Sequence, residues 1–171
     1  MKQFDFNERL AFSHGISKNK DFETILLSQI PRAKEIRKAT LQEDKKGTDY
    51  MIVRENGREL SIDIKVREYD WKEKTGEDDI ALETWSVVGK KVGWTRDKDK
   101  NTDYVFWYWN NTGRWCLLPF VYLHTLFSEH WEEWIKKFKH ASQQNNGYTS
   151  ECIFVPRRFL WAEIYKRFGG N

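Results

Sequence analysis

Asp49-Tyr50-Met51-Ile52-Val53 and Leu60-Ser61-Ile62-Asp63-Ile64-Lys65-Val66-Arg67, joined by a stretch containing Glu55-Asn56-Gly57-Arg58, decide the architecture of this chain. Both runs are apolar and rich in strand-forming residues, and the segment between them has the composition of a tight turn, which predicts a β-hairpin. Side chains alternate across a strand, so Ile62, Ile64 and Val66 share one face while Asp63 and Lys65 share the other. Asp is disfavoured within strands, so its presence in such a run points either to a site or to the solvated face of an edge strand. If the hairpin brings Asp49 to the neighbouring strand end, two carboxylates and an ammonium converge. Two hard oxygen donors suit Mg²⁺, with Mn²⁺ as a substitute, because Mg²⁺ keeps several waters that a phosphate oxygen can replace. In such a site the metal polarises a phosphodiester and acidifies a water, and Lys65 stabilises charge or orients that water.

Upstream, Asp21 is placed to cap a helix through Phe22, Ile25, Leu26 and Ile30, with Pro31 as a kink before a basic continuation from Arg32 to Lys38. Downstream, strands are predicted over Ile80 to Val88 and Tyr104 to Trp109, with Leu117 and Leu118 extending a fifth. Phe120 to Lys139 has apolar residues at 123, 127, 131, 134, 135 and 138, the pattern of an amphipathic helix. A polar loop over Gln143 to Thr149, a strand over Glu151 to Val155 and a basic-aromatic helix from Arg157 to Phe168 complete the chain. A helix followed by several strands argues for an α+β fold rather than alternating parallel units. The 171 residues suit one domain, with a core over about 20–110 and an elaboration over about 111–171.

A fourth site residue follows from register. If Arg67 and Asp79 flank the intervening loop as an antiparallel pair, positions sum to 146 and Asp63 lies opposite Glu83, a further metal ligand. Glu23 and Glu35 in the first helix compete for that role.

The arrangement Gly47-Thr48-Asp49, then Asp63-Ile64-Lys65 after 13 intervening residues, preceded by a Glu-containing helix, resembles the PD-(D/E)XK nuclease superfamily. The resemblance covers about residues 20 to 110. It implies a restriction-endonuclease-like fold, α/β/α-like, with a central mixed sheet of about four to five strands flanked by helices. It also implies that Asp49 and Asp63 bind Mg²⁺ and that Lys65 assists the hydrolytic water. Thr48 stands where the family name has proline, and a helical Gln-x-x-x-Tyr-type element is missing, which leaves the substrate subclass open.

Composition narrows the partners. Charged residues make up 32% and the net charge is only +3, which excludes an acidic disordered tail and a strongly basic coat protein. Nine Trp, seven Tyr and eleven Phe serve a bulky core or a base-stacking platform. Cys116 and Cys152 are too few for a disulfide scaffold. Met1 to Asn7 is too polar for a signal peptide, and no run approaches the roughly 18 apolar residues of a membrane span, so a cytoplasmic protein with no membrane partner is expected. His124 and His130 are six apart on the predicted helix, on nearly opposite faces, and share no zinc ion. The expected function is therefore a Mg²⁺-dependent endonuclease acting on DNA in defence, repair, recombination or mobile-element biology, with nothing separating DNA from RNA as substrate. A homodimer would supply two sites for two strands. The alternative is a catalytically inactive nuclease-like domain that binds nucleic acid or a protein partner.

Overall fold

The computed structural model describes residues 20–169. The chain is mixed α+β, and its described residues form two sheets and two compact units. Among the described residues, the first unit takes 20–70 together with Asp99–Phe120, and the second takes Trp71–Lys98 and 121–169. The polar segment 1–7 lies outside the described residues, as does the side chain of the proposed cap Asp21. No helix among the described residues is long and apolar enough to cross a membrane.

In the first unit, α1 (Lys20–Gln29) precedes β1 (Ala33–Lys38), a short helix α2 (Leu41–Asp44), and the hairpin β2 (Tyr50–Arg54) and β3 (Glu59–Arg67). After the excursion into the second unit come β6 (Tyr104–Trp109) and β7 (Arg114–Pro119). These strands form a five-stranded sheet in the order β1-β2-β3-β6-β7. It is mixed, because β3 and β6 run parallel while the other neighbours are antiparallel. A parallel pair cannot be joined by a tight turn. The connection here is the whole of residues 68–103, which leaves the first unit and returns to it.

Alternation along the strands builds the core. Tyr50, Ile52, Ile62, Phe106 and Tyr108 pack with Phe22 and Leu26 of α1 and with Ile30 just after it in one buried cluster, with Ile64, Tyr104, Trp115 and Leu117 against it. Asp63, Lys65, Val105 and Trp107 therefore take the opposite face. The predicted hairpin and the Tyr104 to Trp109 strand are present. β6 is buried along almost its whole length, which explains its unbroken run of aromatic and apolar residues.

The basic segment after Pro31 differs from expectation. It is the edge strand β1, paired with β2 from Ala33↔Arg54 to Lys38↔Tyr50, and no continuation of the helix. Arg32 adopts φ 61°, a left-handed conformation that turns the chain back onto the sheet after α1 ends.

The second unit contains α3 (Lys72–Thr75), β4 (Asp79–Val87), β5 (Lys91–Val92), α4 (Phe120–Lys137, nearly all in this unit), β8 (His140–Asn145), β9 (Tyr148–Pro156) and α5 (Arg157–Phe168). Its sheet has the order β5-β4-β9-β8. Leu123, Leu126, Phe127 and Trp134 are the buried stripe of α4. The polar stretch read as a loop over Gln143 to Thr149 is instead the tip of a hairpin, β8 against β9, turning at Asn146-Gly147 with Gly147 at φ 80°. Its strand β8 is mostly exposed at the sheet's edge, so it carries no apolar pattern to betray it.

Candidate active site

Asp49 precedes β2 directly and is fastened on both sides: its N–H donates to the Ile62 carbonyl (2.8 Å), and its carbonyl accepts from Ala39 N–H (2.9 Å). The β2–β3 ladder pairs Tyr50 with Ile62 and Val53 with Glu59, and Asp49, one residue before it, lies close enough to Asp63 for that carboxylate to act on it by charge and by a side-chain hydrogen bond. The two acids of the sequence motif are thus neighbours. Ile64 N–H donates to Asp49 Oδ2 at 2.6 Å, which aims that carboxylate across the hairpin.

Asp63 is buried, 3% exposed, on an inner strand with β2 and β6 on either side. The alternative of a solvated edge-strand face is therefore ruled out. Two ammonium groups meet its Oδ2: Lys65 Nζ at 2.8 Å and Lys100 Nζ at 2.8 Å. Burial alone would push the Asp63 carboxyl up, but the charges of Lys65 and Lys100 and their hydrogen bonds outweigh it and hold the group below the ordinary range. Asp49 goes the other way. Burial first, and then the adjacent Asp63 charge, raise it to about 6 despite the Ile64 N–H.

Lys100 is the site residue that sequence reasoning missed. Its side chain is 4% exposed, and Nζ also donates to the Gly47 carbonyl at 2.7 Å. Burial lowers its pKa, and the attraction of Asp63 opposes that shift. Gly47 has φ 87°, the left-handed region that favours glycine, and a Cβ there would press on the end of the Lys100 side chain. Thr48 is buried and donates its hydroxyl to the Asn101 carbonyl at 2.6 Å. Asn101 N–H in turn donates to the Lys46 carbonyl at 2.8 Å. The turn that presents Asp49 is therefore laced to the segment that leads into β6. Two residues before Asp63, Ser61 donates both its N–H (2.7 Å) and its hydroxyl (2.8 Å) to Asp103 Oδ2, which makes that third carboxylate a strand tie.

The expected fourth ligand is corrected. Both edges of β3 are occupied, by β2 and β6, so β4 cannot pair with it. Glu83 instead pairs with Cys152 of β9, and its carboxylate accepts from Ser86 Oγ (2.7 Å) and Trp94 N–H (3.0 Å). Glu35 is exposed on β1 opposite Val53, about four residues or roughly 13 Å along β2 from Asp49. Glu23 lies on α1, and among the described residues no three His, Cys, Asp or Glu side chains gather as a metal-ligating group.

The donors that do converge, two carboxylates, match what Mg²⁺ requires of a protein, since it is held by one or two carboxylates and completes its shell with water and phosphate oxygens. Asp49 and Asp63 are the residues that would hold it. No family model, curated protein or solved structure matches this chain.

Proposed function

We propose that this protein is a Mg²⁺-dependent nuclease of the PD-(D/E)XK type that hydrolyses phosphodiester bonds in DNA. The observation that carries the proposal is the closeness of the Asp49 and Asp63 carboxyls at one end of the hairpin, with the Lys65 ammonium 2.8 Å from Asp63. The mixed sheet, with Asp63 and Lys65 on its middle strand and Asp49 directly before β2, supports the same reading.

Each residue has a task. Asp49 and Asp63 hold the cation, which when bound supplies Lewis acidity to the phosphate and acidifies the attacking water. Lys65 is the more exposed of the two lysines at 24%, and it presents its ammonium where negative charge develops on the phosphorus oxygens. Hydrolysis adds water across one P–O bond and leaves a phosphate monoester and a hydroxyl. The burial of Asp63 lowers the local dielectric, which strengthens each of these charge interactions.

A second reading, a non-catalytic domain that binds nucleic acid or protein, draws on Trp161 and Tyr165, which are 43% and 76% exposed one helical turn apart on α5. The two are separated by incubating the protein with linear, circular, single-stranded and branched DNA in the presence of Mg²⁺, with Asp63→Ala and Lys65→Ala as controls. Cleavage by the wild type alone supports the nuclease; equal activity in all three proteins rejects the site.

A further inference from the structure

We infer that Lys100 is the resident counter-cation of the Asp49–Asp63 site: it sets the affinity for the divalent ion and holds the two acid-bearing segments at a fixed separation. The inference rests on the cation-site reading above, and it assigns a role to a residue outside the motif.

Two ammonium groups on one carboxylate oxygen are more than neutralising Asp63 alone requires. The second is built into the fold. Lys100 is buried, its Nζ spans from Asp63 Oδ2 on β3 to the carbonyl of Gly47 two residues before Asp49, and the Phe120 ring centre lies 5.7 Å from it. The backbone at Gly47 leaves room for the ammonium where a Cβ would collide with it. Thr48 and Lys46 fasten the same turn to Asn101, so the anchor and its neighbour act on one segment. Lys65 reaches Asp63 from the same strand and is more exposed, at 24% against 4% for Lys100.

Opposite signs follow. A fixed positive charge beside two carboxylates repels an incoming divalent ion, so removing it tightens ion binding. The same removal releases the Gly47 turn, misplaces Asp49 against Asp63 and slows turnover. A merely structural lysine would lower both.

The test uses the full chain with Lys100→Met, which removes charge and donor, and Lys100→Gln, which keeps two donors for Asp63 and Gly47 without the charge. Thermal unfolding across a Mg²⁺ titration gives the half-saturating concentration, and cleavage at saturating Mg²⁺ gives kcat and KM. The expected result is a half-saturating concentration at least fivefold lower in both variants. In addition, kcat should fall at least tenfold in Lys100→Met and recover in part in Lys100→Gln, with KM for DNA within threefold of wild type. Should Lys100→Met fail to fold, Lys100→Gln carries the comparison. Folded Lys100→Gln with unchanged or weakened Mg²⁺ binding overturns the role of Lys100 alone. A wild type whose unfolding is indifferent to Mg²⁺ overturns the cation site, and this inference with it.

Discussion

Replacing Asp49 with asparagine should make the metal-free protein more stable at pH 8. Asp49 is raised to about 6 by burial and by the Asp63 charge beside it, against 3.8 for the free carboxyl. A raised acid binds its proton more tightly in the folded state, so stability is full below pH 4 and declines as pH climbs from about 4 to 6. A shift of this size corresponds to at most about 3 kcal/mol at 1.36 kcal/mol per pH unit, and partial exposure reduces that to about 1–2 kcal/mol. The substituted side chain keeps an oxygen for the Ile64 N–H and gains an amide that can donate to Asp63. For a chain of this length the gain amounts to about 3–8 °C in Tm. The assay is tryptophan-monitored unfolding of both proteins at pH 4.5 and pH 8. The gain should appear at pH 8 and vanish at pH 4.5, where Asp49 already carries a proton. Asp63, held below the ordinary range, acts oppositely and costs stability only as pH falls under about 4 in both proteins. A variant no more stable than wild type at pH 8, or one equally stabilised at both pH values, would refute this electrostatic description.

Further changes separate the site from its scaffold. Gly47→Ala forces a side chain into left-handed backbone and against Lys100, so unfolding experiments should record a loss of about 1–2 kcal/mol and cleavage should fall with it. Lys65→Met keeps the aliphatic stem and leaves Lys100 on Asp63, so stability should move by under about 1 kcal/mol while kcat drops at least 100-fold, roughly the loss seen when one oxyanion donor is removed. Asp70 is 3% exposed, ion-paired with Arg114 and bonded to Thr112, and the Arg114 guanidinium lies over Trp109; Asp70→Ala should cost about 2–3 kcal/mol in urea without altering the half-saturating Mg²⁺ concentration.

Much of the first unit was legible because its signals are local. The hairpin declares itself through two apolar runs around a Gly-containing turn, and alternation alone puts Asp63 and Lys65 on one face. β6 is recognisable from Tyr104-Val105-Phe106-Trp107-Tyr108-Trp109 because burial on both faces requires an unbroken run. What failed was pairing at a distance. Consecutive strands usually neighbour one another, so β4 was assigned to β3, yet the parallel β3–β6 ladder takes that edge and sends β4 into a second sheet. The register that set Glu83 opposite Asp63 fails with it. Lys100 was invisible for a related reason: it sits in Asp97-Lys98-Asp99-Lys100-Asn101, whose composition is that of a solvated loop, and only the return of the chain to β6 brings it to Asp63. Short polar edges such as β1 and β8 carry too little hydrophobic periodicity to be told from helix or loop.

The rate of DNA cleavage as a function of Mg²⁺ concentration, measured for the wild type and for Asp63→Asn, bears most directly on the central claim. This substitution retains the shape of the side chain and removes the charge that would hold the ion. The account predicts saturable, Mg²⁺-dependent cleavage by the wild type, abolished by chelation, and a loss of at least 100-fold in the variant. Cleavage of equal rate in both proteins, or none by the wild type on any DNA form at any Mg²⁺ concentration, would contradict it.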